Sequence, residues 1–466
     1  MSHRFDLLVL GAGPAGMSAA VRARALGLDV AVVDEQAAPG GQVWRGVERS
    51  TALGRSEALG PDYAAGARLA AAFRASGAKY LGDTRVWQVE PGFRVYTCHQ
   101  NLVEILAAKT LVIATGAIER SAPFPGWTLP GVLTVGAAQI LLKGCGQIPD
   151  VPIWIAGSGP LVLLYANQLL DVGGRVAGIL STAPPVNRRV ALRHLGPALA
   201  CWEDLLKGVR WVSRLRTSGV PVVRGVSEIE ALGDSRVEAI RFRTLAGGER
   251  TVPTGMLLLH EGIVPDIQIS LALGCRHEWD EAQQCFVPTV DEWGQTSIAG
   301  AFVAGDGGGI GGVRAACAGG EVAALGCAYT LGRLSLTAAR QSADRLRRAR
   351  ARALAIRPFL DALYRPRRQV ALPADEIVVC RCEEVTAGEI RAAARAGAGD
   401  PNQVKAFTRC GMGPCLGRIC GITASSIIAD AAGRLMTETG LFRVRPPLRP
   451  ITLAQLASIE EREVAA

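Results

Sequence analysis

The sequence predicts an α/β protein in which one Rossmann-like domain is inserted in another, with a small α-rich domain after them. Two strand–glycine loop–helix units, at Gly11 and at Gly157, predict the paired domains. A late strand at 301–304 predicts that the chain returns to the first sheet. Four cysteines mark the small domain: Cys380, Cys382, Cys415 and Cys420.

Composition fits two or three packed domains, because the chain has 466 residues and 49% of them are hydrophobic. The net charge of +9 does not predict nucleic-acid binding, since the basic residues are scattered. Their densest run, 333–368, is typical of a solvated helical connector, and docking of this run onto a partner protein is the alternative.

No export signal is expected before the first strand, because Asp6 and the glycine loop interrupt any apolar segment. The uncharged stretch 151–170 is long enough to span a bilayer, but Pro152 and the loop after it predict a buried strand–turn–helix unit. The twelve cysteines then indicate a reducing compartment rather than a disulfide framework. A cytoplasmic protein without a transmembrane segment is expected, held at the inner face of the membrane only through partners.

The first glycine loop predicts a dinucleotide site. It joins the strand 5–10 to an alanine-rich helix that ends near Gly27, and a second strand, 30–33, ends at an acidic pair. In such a loop the first glycine permits a tight turn, the second lets the backbone approach a pyrophosphate, and the third allows close helix packing. The acidic pair can bind ribose hydroxyls. The predicted residues are Gly11, Gly13, Pro14, Ala15, Gly16, Asp34 and Glu35.

Three further features favour FAD over NAD at this first site. A second loop follows the acidic pair closely, a small turn ends the strand 110–114, and a carboxylate follows the late strand. The helix after that carboxylate can point its positive end at the flavin pyrimidine. For the carboxylate itself, a plain helix cap is the alternative. These features add Gly41, Gln42, Thr115, Gly116, Gly305 and Asp306 to the candidate site.

The second glycine loop departs from the pattern of a working NAD(P) site. Val162 occupies the position of the third glycine, and Leu180 stands where a ribose-binding carboxylate belongs. A degenerate domain, or one that binds another nucleotide, is therefore predicted. The five histidines are scattered, and no acid/base pair or catalytic residue is assigned.

The cysteine pattern predicts an iron–sulfur cluster, because cluster iron is held by thiolates. Cys380 and Cys382 lie one residue apart, and Cys415 and Cys420 flank a glycine-containing loop. Structural zinc is the alternative, although the first spacing is tighter than zinc modules usually have. Backbone amides near Gly411, Gly413 and Gly417 can donate hydrogen bonds to the sulfurs. The basic side chains of Lys405, Arg409 and Arg418 can offset the negative charge of the cluster.

The motif order resembles the flavoproteins of the glutathione reductase superfamily, without the paired redox cysteines of its disulfide reductases. The segments 380–386 and 405–420 resemble the [2Fe-2S] domain related to bacterioferritin-associated ferredoxin. Nearly the whole chain resembles the α (A) subunits of dye-linked opine oxidases, of D-hydroxyproline and proline dehydrogenases, and of hydrogen cyanide synthase. In that family the second ligand pair matches Cys415 and Cys420, and the position of Cys410 need not be cysteine.

The resemblance implies an electron-transferring FAD and [2Fe-2S] subunit of a heteromeric dehydrogenase that oxidises a C–N bond of an amino acid or opine. It implies a second flavoprotein (β) subunit that holds the substrate, an optional small third subunit, and a respiratory acceptor or dye. A second nucleotide or a flavin at a subunit interface stays open. Two other functions also stay open: a stand-alone NAD(P)H-dependent reductase and an iron–sulfur sensor or delivery protein.

The domain boundaries follow from these motifs and from a shift in composition after the second Rossmann-like unit. They are 1–118 and 285–330 for the FAD-binding domain, 119–284 for the degenerate domain, 331–374 for an Arg/Ala-rich helical connector, 375–440 for the [2Fe-2S] domain and 441–466 for an extended, exposed tail.

Overall fold

The computed structural model describes residues 4–463, and the N-terminal part forms a mixed sheet with helices beside it. Its elements are β1 (Arg4–Leu10), α1 (Pro14–Ala25), β2 (Val30–Val33), α2 (Val47–Ala52), α3 (Pro61–Ala64), α4 (Gly66–Ala75), β3 (Lys79–Leu81), β4 (Thr84–Glu90), β5 (Arg94–His99), β6 (Leu102–Ile113) and β7 (Ala117–Glu119). The strand order is β3-β2-β1-β6-β5-β4. Strand β6 pairs with β1 in parallel at its end and with β5 antiparallel at its start.

The next part of the chain forms a five-stranded parallel sheet and a three-stranded antiparallel one, in the orders β11-β10-β9-β15-β8 and β12-β13-β14. Its elements are β8 (Val132–Thr134), α5 (Val135–Cys145), β9 (Ile153–Gly157), α6 (Pro160–Asp171), β10 (Val176–Ser181), α7 (Pro185–Leu192), α8 (Leu195–Ala198), α9 (Trp202–Thr217), β11 (Val222–Arg224), β12 (Val226–Leu232), β13 (Ala239–Thr244), β14 (Glu249–Pro253), β15 (Leu257–His260), β16 (Ile263–Pro265) and α10 (Gln268–Ala272).

The chain then returns to the first sheet, as predicted. The returning elements are β17 (His277–Asp280), β18 (Cys285–Pro288), β19 (Ala301–Val303) and α11 (Val313–Thr330). Strand β19 pairs in parallel with β6, and helix α11 packs along α1. Strand β7 lies where the chain leaves the N-terminal part for the second sheet, and β16 lies where it returns. These two strands pair antiparallel. The fold class is therefore confirmed, whereas the individual domain boundaries stay predictions.

The C-terminal part consists of a helical connector followed by a small helical module. Its elements are α12 (Leu336–Leu354), α13 (Arg357–Leu363), α14 (Arg368–Ala371), β20 (Val378–Cys380), β21 (Val385–Thr386), α15 (Ala387–Arg395), α16 (Pro401–Thr408), α17 (Gly421–Ala432), α18 (Met436–Thr439) and α19 (Leu453–Glu463). The predicted capping box at Thr386 is present, because its hydroxyl accepts the Glu389 N–H and the Glu389 carboxylate accepts the Thr386 N–H. A buried aliphatic core from β20, α15 and α17 surrounds the cysteines.

The last segment differs from the extended, exposed tail that the sequence predicts. It lacks regular structure only as far as the start of helix α19. Phe442 and Leu448 are buried, at 7% and 2% exposure. Leu448 joins the hydrophobic core of the first sheet, while Phe442 joins the core of the cysteine module. The segment is rich in arginine and proline, so its composition does not predict that Phe442 and Leu448 are buried.

The uncharged stretch 151–170 forms strand β9 and most of helix α6, as predicted. Its strand lies between β10 and β15 in the middle of the second parallel sheet. Across residues 4–463, the helices are too short or too polar to cross a membrane.

Candidate flavin and iron–sulfur sites

The first glycine loop has the geometry that a dinucleotide requires. Gly11 has φ +105°, and a Cβ placed on it would lie 2.5 Å from the Ala114 carbonyl oxygen. A Cβ on Gly16 would overlap the carbonyl oxygen of Gly11, so both positions need glycine for packing alone. Gly13 is different, because its φ is −74° and a Cβ there would meet only the Gly41 Cα, at 3.8 Å. The space beside Gly13 is therefore open, where a pyrophosphate would approach.

The structure separates the two acidic residues after β2. Asp34 accepts the backbone N–H of Ala12 at 2.6 Å and that of Gln36 at 2.7 Å, which fixes its carboxylate beside the glycine loop. Burial raises the pKa of this carboxyl above its ordinary value. Glu35 instead faces the C-terminal segment, where its carboxylate pairs with Arg449 at 2.8 Å. Asp34 is thus the better placed of the two for a ribose.

The second predicted loop lies directly on the first. The Gly40 N–H donates to the Ala12 carbonyl at 2.9 Å, and a Cβ on Gly41 would lie 2.8 Å from the Gly13 Cα. Pro14 occupies the first turn of α1. Ala15 abuts the turn after β19, where a Cβ on Gly305 would lie 2.8 Å from the Ala15 Cβ. The side chain of Gln42 accepts a hydrogen bond from Arg45.

The remaining predicted flavin residues close the same crevice. The Thr115 hydroxyl donates to the Asp266 carbonyl at 2.8 Å, and the Gly116 carbonyl accepts the Asp266 N–H at 2.9 Å. One carboxylate oxygen of Asp306 accepts the N–H groups of Gly311 and Gly312, both at 2.9 Å. These amides precede helix α11, whose N-cap residue is Gly312 without a side-chain cap, so Asp306 orders the loop before the helix and is not its cap. The loops after β1, β2, β6 and β19 meet at one edge of the sheet, which is where such folds bind their ligands.

Lys143 is a residue beside this crevice that the sequence does not single out. Its ammonium group is buried and donates to the Val43 carbonyl at 3.0 Å, the Gln42 carbonyl at 3.4 Å and the Gln139 side chain at 2.9 Å. Burial lowers its pKa to about 7. Helix α5, which lies beside the second sheet, therefore binds the second flavin loop, residues 40–43, through Lys143. A lone lysine in an apolar helix gives no sequence signal for such a role.

Ionisable side chains surround the second glycine loop, at Gly157 and Gly159. His260 lies against Gly159, and its Nδ1 is 2.6 Å from a Glu119 carboxylate oxygen. Next to it, the fully buried Glu261 lies 3.2 Å from Arg367 of the connector. These groups occupy the carboxyl edge of the second parallel sheet, where a nucleotide would bind. The sequence does not reveal the pair of His260 and Glu119, because 141 residues separate its members.

The cysteines of the C-terminal module converge. The sulfur atoms of Cys380, Cys410 and Cys420 all lie within 4.8 Å of one another. Hydrogen bonds from Cys410 and Cys420, and from the Gly411 N–H at 3.4 Å, hold the pKa of the Cys380 thiol far below its usual range. A group of cysteine sulfurs close together in a buried site fits a bound metal centre.

The other two predicted ligands adjoin this group. Cys415 contacts both Cys420 and Cys382, and the hydrogen bond from Cys420 lowers its pKa to about 5. A Cβ on Gly413 would overlap the Cβ of Cys382, so glycine is needed there. All four predicted ligands therefore lie together, and Cys410, which is not among the predicted ligands, lies with them. The ligand assignment itself stays a prediction.

A large cavity lies outside the predicted cofactor crevice. Its volume is about 1650 Å³, and helices α9, α11, α12 and α13 line it together with Trp44. Trp211 and Phe359 make part of its wall aromatic. Its lining, within residues 4–463, contains none of the predicted flavin or cluster residues. The cavity is therefore a space distinct from the crevice at the first glycine loop.

Comparisons with known proteins agree with this geometry. Residues 5–320 match the pyridine nucleotide-disulphide oxidoreductase family, and residues 376–459 match the sarcosine oxidase A3 domain. The chain is 44% identical to the opine oxidase A-subunit of Rhizobium meliloti (strain 1021), over 98% of this chain and 99% of that protein. The chain belongs to the family of opine oxidase A-subunits.

Other similar proteins include one further relative and two solved structures. The hydrogen cyanide synthase subunit HcnB of Pseudomonas aeruginosa is 32% identical, over 97% of this chain and 98% of its own length. The crystal structure of L-proline dehydrogenase from P. horikoshii has a TM-score of 0.71 at 19% identity, covering 98% of this chain and 80% of that one. A thioredoxin reductase from T. acidophilum, with a TM-score of 0.51 at 21% identity, covers 71% of this chain and 99% of its own length. These two structures show the shared fold.

Proposed function

We propose that this chain is the electron-transferring FAD and [2Fe-2S] subunit of a heteromeric dehydrogenase that oxidises a C–N bond of an amino acid or opine. The observation that carries the proposal is the presence, in one chain, of a dinucleotide crevice at Gly11–Gly16 and of converging cysteines around Cys380 and Cys420. The names of its relatives supply the class of donor, since they are opine oxidase and hydrogen cyanide synthase subunits.

The chain's own residues support binding of both groups. The open face of Gly13 and the start of helix α1 suit a pyrophosphate, and Asp34 lies fixed beside it for a ribose. Four or five cysteine sulfurs and the Gly411 N–H suit an iron–sulfur cluster. When bound, the flavin exchanges electrons in pairs and the cluster exchanges them singly.

A second flavoprotein that holds the substrate is part of the proposal. The relatives are named as subunits, which implies further chains in those enzymes. Helices α7–α9 and the turns between them expose a set of apolar side chains, which is a feature of protein–protein contact surfaces. The set, here called the α7–α9 apolar surface, comprises Val186, Val190, Leu192, Leu199, Trp202, Leu206 and Val209. Burial of this surface against the second flavoprotein explains its composition; a small third subunit stays optional.

The second glycine loop bears on the rival function of a stand-alone NAD(P)H-dependent reductase. Glu119 and Glu261 place carboxylates at the edge where the phosphates of NAD(P)H would lie, and Arg367 covers Glu261 from the connector. A carboxylate such as that of Glu119 is unfavourable beside an anionic ligand, whereas Arg367 offsets the charge of Glu261. The rival is therefore disfavoured, and we infer that electrons leave to a respiratory acceptor or dye. We also propose a cytoplasmic location, since the twelve cysteines, all within residues 4–463, form no disulfide in the structure.

The chain alone is expected to show negligible dye-linked oxidation of amino acids or opines, and co-expression with its partner subunit should restore turnover. The Trp202→Glu variant should lose co-purification of the partner, because it adds a charge to the α7–α9 apolar surface. Leu245→Glu is the matched control, since Leu245 is similarly exposed in the distant β13–β14 turn. Steady-state assays and size-exclusion chromatography check both results. Full turnover by the isolated chain would contradict the proposal.

A further inference from the structure

Asp266 lies where three separate parts of the chain meet. Its backbone is bound to the predicted flavin loop, because its N–H donates to the Gly116 carbonyl at 2.9 Å and its carbonyl accepts the Thr115 hydroxyl at 2.8 Å. It follows strand β16, which pairs with β7 at the crossing between the two sheets. The position of Asp266 is therefore coupled to the edge of the flavin crevice through these two hydrogen bonds.

The carboxylate of Asp266 faces the other two parts of the chain. Its side chain is only 11% exposed, and one oxygen lies 3.9 Å from the Arg449 guanidinium of the C-terminal segment. The same guanidinium lies 2.8 Å from Glu35, the neighbour of Asp34. The other oxygen accepts the Gln268 N–H at 3.3 Å. The remaining charged group near the carboxylate is Arg418, which belongs to the cysteine module.

Arg418 places a positive charge of the cluster loop, residues 415–420, near this carboxylate. It stands between Cys415 and Cys420, and its Nε donates to the Cys415 carbonyl at 3.0 Å. Arg418 and Asp266 line one small cavity at the contact between the cysteine module and the flavin part. Charges in such a half-buried place are screened less than charges on an open surface. The positive charge of Arg418 therefore acts on the cluster loop, and the negative charge of Asp266 offsets it.

The C-terminal segment holds the two sides of this contact together. The Phe442 ring lies against the cluster loop, since a Cβ on Gly411 or on Gly417 would lie within 3.0 Å of it. Six residues later, the buried Leu448 donates its N–H to the Trp87 carbonyl at 2.6 Å in the flavin part. This short segment is therefore anchored on the cluster loop at one end and on strand β4 of the flavin part at the other.

We propose that Asp266 and Arg418 are positioning residues whose opposite charges, at the contact between the cluster loop and the predicted flavin loop at Thr115 and Gly116, set the reduction potential of the [2Fe-2S] cluster. This inference rests on the proposed function. Reduction adds a negative charge to the cluster, so a nearby arginine favours the reduced form and a nearby carboxylate opposes it. Removal of the two charges should shift the potential in opposite directions, whereas a merely structural contact would give shifts of one sign.

The test uses the full chain in complex with its partner subunit, with the cluster followed by EPR during a potentiometric titration. At a fixed potential near the wild-type midpoint, Arg418→Gln should lower the ratio of reduced to oxidised cluster by about fivefold or more, and Asp266→Asn should raise it similarly. The double variant should return close to the wild type. Arg340→Gln is the control, because Arg340 is an exposed arginine paired with Glu292 away from the module.

Shifts of the same sign in both single variants, or no shift with the cluster and FAD intact, would overturn the inference alone. Absence of the cluster or of FAD from the wild-type complex would overturn the proposed function and the inference with it. Cluster content, measured by iron and sulfide analysis of every variant, separates these two outcomes. Arg418→Lys, which keeps the charge, should retain most of the wild-type potential.

Discussion

Replacement of Cys420 by serine is expected to abolish the visible absorbance of the iron–sulfur cluster while FAD remains bound. Cys420 is 1% exposed, and its thiol contacts those of Cys380, Cys410 and Cys415, so it lies at the centre of the cysteine group. Serine is a poor ligand for cluster iron, and its hydroxyl is nearly isosteric with the thiol. The flavin crevice belongs to another part of the chain. Absorbance spectra together with iron and flavin analysis of the purified variant provide the measurement.

Two further cysteine variants make this result specific. Cys145→Ser is the control, because Cys145 is exposed and ends helix α5 far along the chain from the module. Cys410→Ser distinguishes a ligand from a neighbour, since the family resemblance does not require cysteine at that position. The cluster should survive this substitution with an altered spectrum. An intact wild-type spectrum in Cys420→Ser would contradict the ligand assignment.

Substitution of Gly13 by alanine is expected to weaken FAD binding about 10- to 100-fold without unfolding the chain. The φ of Gly13 is −74°, and an added Cβ would make only an ordinary contact with Gly41 at 3.8 Å. The fold therefore tolerates the methyl group, whereas a pyrophosphate held against this backbone does not. Flavin content after purification and FAD titration of the apoprotein measure the loss.

The interpretation of Gly13→Ala depends on a comparison with a neutral alanine substitution. Gly208→Ala is suitable, since Gly208 lies within helix α9 and an added Cβ would contact nothing within 4 Å. Both apoproteins should melt within a few degrees of the wild type. Wild-type FAD affinity in Gly13→Ala would show that the first glycine loop does not hold the flavin pyrophosphate.

The parts of the structure that the sequence predicts well are those with local signals. The glycine loop at Gly11 and the strands around it are read from a short pattern, because turn geometry and helix packing require glycine at fixed spacing. The capping box at Thr386 is equally local. The late strand that ends at Val303 is predicted by its apolar run before Gly305. In each case the residues that determine the structure lie within a few positions of one another.

The features that the sequence does not predict depend on residues that are far apart in the chain. Lys143 reaches the second flavin loop across 100 residues, and the carboxylate of Asp266 meets Arg449 only in the folded chain. The C-terminal segment is polar in composition, yet two isolated apolar side chains anchor it in two different cores. Cys410 joins the cysteine group because the backbone turns at Gly411, a feature that spacing alone does not reveal. Long-range contacts of this kind have no local pattern.

One polypeptide is expected to hold both a carrier of electron pairs and a carrier of single electrons. An anaerobic titration of the purified chain with dithionite, followed by absorbance and EPR together, measures both carriers in one experiment. A chain with FAD and one [2Fe-2S] cluster should take up about three electrons, with the flavin bleached and the cluster signal developed. A colourless chain that contains zinc, takes up no electrons and shows no flavin absorbance would contradict the assignment of both cofactors.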